Sequence, residues 1–141
     1  MREKFYAKIA EQVQFLGFPV YVGVVAAPLD RVPALYIVEQ EHVTELDQQA
    51  VNFIHTVTAS VEVFFRPKTR EVRKDLYIIK TPVEEAFDLL ERLEQQLFGK
   101  AWADFIDPVF EWESDFHILD GNVLHVGLTF KTTYRSQKGC S

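Results

Sequence analysis

The chain has 141 residues, 48% of them hydrophobic, 13% aromatic and 26% charged, a balance that excludes wholesale disorder and a collagen-like repeat and suits one domain core. Fifteen basic residues against 21 acidic ones give a net charge of −6, which opposes non-specific attraction to nucleic acid or to an anionic membrane. No apolar run reaches the roughly 18 residues of a membrane span. Met1, Arg2, Glu3 and Lys4 lead into amphipathic sequence rather than a signal core, and the lone Cys140 rules out an internal disulfide and a cysteine-built zinc site, so a cytosol-like compartment is expected.

Phe5, Ile9, Val13 and Leu16 recur at spacings of four, four and three, which predicts a helix from about Arg2 to Phe15. Gly17 supplies a left-handed closing residue, and Pro19 forbids continuation. Val20 to Ala26 is a β-branched run. Pro33 opens a second extended run, Ala34 to Val43, with Leu35, Ile37 and Glu39 on one face. From His55 to Phe65 the alternation is clear: Val57, Ala59, Val61, Val63 and Phe65 point one way, and Thr58, Ser60 and Glu62 the other. Phe64 falls on the polar face, so a helix or a partner is expected to cover it. Pro67 ends this strand, and Leu76 to Ile79 resume an extended run. The two runs are expected to pair as a hairpin whose long tip is basic.

Thr81, Pro82 and Glu84 read as a helix start, with the threonine as cap and proline at the first helical position. Val83, Ala86, Phe87, Leu90, Leu93 and Leu97 keep a helical period up to Gly99. In the last hairpin, Phe110, Trp112, Phe116 and Ile118 share one face, as do Leu124, Val126, Leu128 and Phe130. Even must therefore pair with even, because a one-residue slip would bury the wrong face. A turn of Asp120, Gly121 and Asn122 meets this condition, with Gly121 or Asn122 at positive φ. It sets Trp112 opposite Phe130, His117 opposite His125 and Glu111 opposite Lys131. Both tryptophans, Trp102 and Trp112, read as core. The fold class is α+β: a two-layer sandwich with a mainly antiparallel sheet covered on one face by two helices, plus the long basic hairpin. Residues 1–135 form one domain, and 136–141 a flexible tail.

Motifs for chemistry are sparse. The glycines at 17, 23, 99, 121, 127 and 139 are too scattered for a phosphate cradle. Ser60 and Ser114 lie in strands without a nucleophile elbow. His117, His125 and Asp115 form the one candidate metal constellation, and read as ordinary surface residues. No catalytic residue, required metal or cofactor is expected. Charge, in contrast, is segregated. Arg66, Lys68, Arg70, Arg73 and Lys74 with one glutamate make a +4 stretch, and Glu39, Glu41, Glu45 and Asp47 make a −4 stretch. Two such patches favour protein–protein contact.

The order of elements resembles a known family. A short helix, the proline-led strand Pro33-Ala34-Leu35-Tyr36-Ile37, the strand Ala59-Ser60-Val61-Glu62-Val63-Phe64-Phe65 running into Pro67, a helix, and a last strand ending Leu128-Thr129-Phe130-Lys131-Thr132-Thr133-Tyr134-Arg135 resemble the tail terminator proteins of long-tailed bacteriophages, the minor tail protein U type. The likeness runs through nearly the whole chain, which departs from it in its extended basic hairpin tip. It implies a non-enzymatic ring of six copies that caps the tail tube, stops its polymerisation and presents a surface to the head–tail connector protein. The implied location is the virion neck, with the host cytoplasm during assembly. Expected partners are the chain itself, the tail tube protein and the connector, with no membrane and no sequence-specific nucleic acid. A head-closure or connector adaptor is the competing reading, and a small ligand-binding or enzymatic domain the third. For the ring, the basic tip and the acidic stretch are the expected interface.

Overall fold

The computed structural model describes residues 1–25, 31–119 and 122–137. Helix α1 (Arg2–Val13) passes into a short 3-10 turn, Gln14–Leu16, that ends on Gly17 at φ 70°, so the expected first helix tightens in its last turn. Strands β1 (Val20–Val22), β2 (Ala34–Leu46) and β3 (Asn52–Phe65) follow. A small pair, β4 (Glu71–Arg73) and β5 (Ile78–Lys80), precedes helix α2 (Thr81–Leu97), and β6 (Glu111–Leu119) and β7 (Val123–Gln137) close the chain. The fold is α+β. Its main sheet has the order β1-β2-β3-β7-β6, all antiparallel except the β1–β2 pair.

Both helices pack on one face of this sheet. Phe5, Ile9 and Val13 of α1 and Ala86, Leu90, Leu93 and Leu97 of α2 meet Leu35 and Ile37, the alternating residues Val57 to Val63, and Leu124 to Phe130 of β7. Full burial of each aliphatic side chain contributes about 1.5–3 kcal/mol, so this layer dominates the stability. The last hairpin has the expected register, with Trp112 opposite Phe130 and His117 opposite His125. Asp120 and Gly121 lie outside the described residues, while Leu119 pairs with Val123 and Asn122 takes φ 58°.

Several expectations are corrected. Residues 76–79 do not pair with β3, whose neighbours are β2 and β7; Ile78–Lys80 pairs instead with Glu71–Arg73 in a separate two-stranded sheet. The competing partner for β3 is β7, which matches it over fourteen positions, so a short extended run could not displace it. Thr81 is not a cap: its hydroxyl donates to the Arg70 carbonyl at 2.9 Å, tying the helix start to β4. Ser136 and Gln137 are not tail but the end of β7, opposite Phe53 and Asn52; residues 138–141 lie outside the described residues. Phe64 is covered by neighbouring strands of its own sheet rather than by a helix. It is buried in a second cluster with Ala34, Tyr36 and Val123, stacked on His125 at 4.4 Å and edge-on to Tyr36. Trp102 fits the core reading, its indole donating to the Leu97 carbonyl. Trp112 does not: on the edge strand, stacked on Phe98, it is 50% exposed, as is Phe87 on α2.

Candidate subunit interface

The basic stretch leaves β3 at Phe65. Its root is fixed: Pro67 is buried, Asn122 donates its amide to the Thr69 hydroxyl at 2.8 Å, and the Arg70 carbonyl accepts from both the amide and the hydroxyl of Thr81. β4 and β5 then pair over three positions, and the Lys74 amide donates to the Tyr77 carbonyl to close the turn between them. Lys74 forms an ion pair with Glu84 of α2 at 3.0 Å, while Arg66, Lys68, Arg70 and Arg73 are exposed. The tip is apolar. Leu76 is 94% exposed, and Tyr77 and Ile78 stand more than half in solvent. Such a tip is costly to leave in water and characteristic of a contact surface.

The acidic stretch is built differently. Glu39 accepts three hydrogen bonds from the Arg2 guanidinium, one from Nε at 3.2 Å and one to each carboxylate oxygen from a terminal nitrogen at 2.9 Å, and a fourth from His42 Nδ1 at 2.6 Å. Partial burial opposes ionisation, but these bonds hold its carboxyl below the ordinary range. Asp47 folds the β2–β3 turn, accepting from the Val51 amide and the Asn52 side chain. Glu41 and Glu45 are exposed on the face away from the helices. The two stretches sit at opposite ends of the sheet. β3 runs from Asn52, beside the acidic turn, to Phe65, beside the basic arm, a span of roughly 40 Å for a strand of that length. They do not meet within one chain.

Sequence reasoning missed a polar line across β2, β3 and β7. Ser136 donates its hydroxyl to His55 Nε2 at 2.7 Å, His55 Nδ1 donates to His42 Nε2 at 2.8 Å, and His42 donates to Glu39. With both rings neutral every donor points the same way along the line. Tyr134 stacks on His55 at 4.3 Å. Burial first, then the neighbouring His42, push the His55 pKa down. The connectivity is that of a nucleophile, base and acid relay, yet the Ser136 side chain is buried and its strand is committed to the ladder with β3. As built, the line ties three strands together. A bulge between Glu39 and Glu41 hides it from sequence inspection, because it inverts the parity of β2 and turns His42 and Thr44 onto the helix side.

The His117, His125 and Asp115 constellation does not converge. His125 donates to Glu62 at 2.6 Å, while exposed His117 lies 3.4 Å from Asp115. Among the described residues no group of three or more histidine, cysteine or acidic side chains is placed to hold a metal ion. No described helix is long and apolar enough to cross a membrane.

A last feature is a groove of about 630 Å³ between α2 and β6. Phe87, Leu90 and Phe116 floor it, and Glu91, Glu94 and Asp115 line its sides. β6 is the outer strand of the sheet, and such edges invite pairing unless covered. Against known proteins, the chain matches no protein-family model and no curated sequence.

Proposed function

We propose that this chain is a structural virion protein of the tail terminator kind, a non-enzymatic ring that caps the phage tail tube, stops its growth and offers a surface to the head–tail connector. Six copies per ring follow from the resemblance. The observation that carries the reading is the separation of two unlike surfaces, a basic arm with an apolar tip and an acidic region, by the length of the sheet. The exposed apolar tip and the exposed Glu41 and Glu45 lie too far apart to meet within one subunit, and head-to-tail contacts between copies close into rings when the rotation permits. The resemblance of the strand and helix order supplies the biological setting.

Negative-stain microscopy of the purified protein tests it. Closed rings, and decoration of tail-tube ends with arrest of their elongation, are the expected result. Binding to the portal instead of the tube would favour the connector adaptor. A chain that neither self-associates nor binds either structure would overturn the proposal.

A further inference from the structure

We infer that the apolar tip of the β4–β5 arm of one subunit seats in the groove between α2 and β6 of the next copy of this chain. The inference rests on the ring reading and names its contact. Three observations carry it. First, the tip and the groove match in chemistry: Leu76, Tyr77 and Ile78 are exposed on the arm, and Phe87, Leu90 and Phe116 floor the groove. Second, they match in charge. Arg73, opposite Ile78, stands at the tip end of the β4–β5 ladder and exposed Asp75 lies in the turn, while Glu91 and Glu94 line the α2 side of the groove, so docking sets Arg73 towards the two glutamates at the rim of an apolar centre.

Third, the groove belongs to a neighbour. The turn end of the arm is held by the Lys74 and Glu84 ion pair beside a cavity lined by Phe15, Leu16 and Phe18, on the flank of α2 towards α1. The groove opens on the flank towards β6. The tip, left 94% exposed at Leu76, does not fill it within its own chain. The acidic stretch at the far end of the sheet is a poorer recipient, because Glu39 is committed to Arg2 and His42, and Asp47 to its own turn. Charge alone would also leave Leu76 and Tyr77 in water. Arm and groove are different surfaces, so the contact is heterologous and each subunit gives one and receives one.

That asymmetry defines the experiment. Leu76→Asp breaks the arm and leaves the groove; Phe87→Asp, or Glu91→Lys with Glu94→Lys where the phenylalanine change disturbs folding, breaks the groove and leaves the arm. In sedimentation velocity the wild-type chain is expected as a closed oligomer and each variant as a folded monomer. Mixing an arm variant with a groove variant is expected to give dimers of one copy each and nothing larger, since a single intact arm meets a single intact groove. Rings that persist in both variants overturn this contact and leave the ring reading standing. Rings that persist while tube-end binding is lost in Leu76→Asp assign the arm to the tube protein and equally overturn it. Wild-type dimers or open chains abolished by either variant uphold the contact and overturn the ring. A wild-type chain monomeric at every concentration reached overturns both.

Discussion

β6 and β7 are the two strands of one hairpin, written in the same alternation and paired residue for residue, yet they have opposite fates. The inward residues of β7, from Leu124 to Phe130, are almost wholly buried, whereas Trp112 and Ile118 of β6 are half exposed. The difference is position in the sheet. β7 lies between β3 and β6 and beneath both helices, whereas β6 is the last strand and meets the helical layer mainly through Phe116 against Phe87 and Trp112 against Phe98. Alternation decides which residues share a face. It does not decide whether anything covers that face.

The largest test of the contrast is a pair of truncations at opposed positions. Phe130→Ala should cost about 3–5 kcal/mol, as a large void in a packed core does. Trp112→Ala should cost only about 1–2 kcal/mol, since the ring loses one stacking partner and half of its burial. Urea denaturation of the monomeric groove variant measures both without interference from assembly. Equal costs would mean that β6 is as enclosed as β7.

A second opposed pair carries the comparison to the outer face. His125 of β7 bonds to the mostly buried Glu62 and stacks on Phe64, while His117 of β6 stands in solvent beside an equally exposed Asp115. His125→Ala should cost about 1–2 kcal/mol, because Glu62 is left buried without its donor. His117→Ala should stay within about 0.5 kcal/mol. Similar losses at the two sites would break the contrast.

A pH-dependent contribution belongs to the β7 side as well. His55, stacked on Tyr134 and bonded to Ser136, has its pKa lowered by burial and then by His42, Arg2 and the N-terminus. The unfolded chain therefore takes up a proton more readily below the unfolded histidine value of about 6.5. The stabilisation is complete above that value, declines as pH falls through it, and is exhausted below the folded pKa. His55→Gln should flatten the part of the pH profile that falls below about pH 6.5. An unchanged slope would remove His55 as its source.

Much of this architecture is legible in the residues. The helical periods, the alternation of β3 and the parity argument for the last hairpin are local, and a single turn length fixes its register. What escaped inspection is non-local. The run at 76–79 looked like a partner for β3 because nothing in either segment reveals that β7 arrives later with a longer match. The Glu39, His42, His55 and Ser136 line joins residues up to 81 positions apart across a bulge. The charge windows were legible as sums but not as environments. At the acidic end Glu39 and Asp47 hold the fold together; at the basic end Lys74 alone pairs with α2 among the ion pairs resolved for that stretch, and Arg66 has contacts of its own. Alternation places Trp112 and Ile118 of the edge strand with the core face, and their half exposure follows from what fails to cover that edge.

The smallest expected effect lies on the outer face, where β6 stands further into solvent than β7. Glu111 and Lys131 are opposed in the register and their charged groups lie 3.7 Å apart, with Glu111 68% exposed. The distance is long for a hydrogen bond, both side chains are flexible, and water screens the pair, so ordering them offsets most of the attraction. Glu111→Ala should change stability by less than about 0.5 kcal/mol, and the coupling with Lys131→Ala in a double-mutant cycle should be no larger. The value of the measurement is its contrast with Trp112, one residue along the same strand. A loss at Glu111 matching that at Trp112 would show that the outer face of β6 is covered in solution, and a partner seated on this edge would then have to be sought on both of its faces.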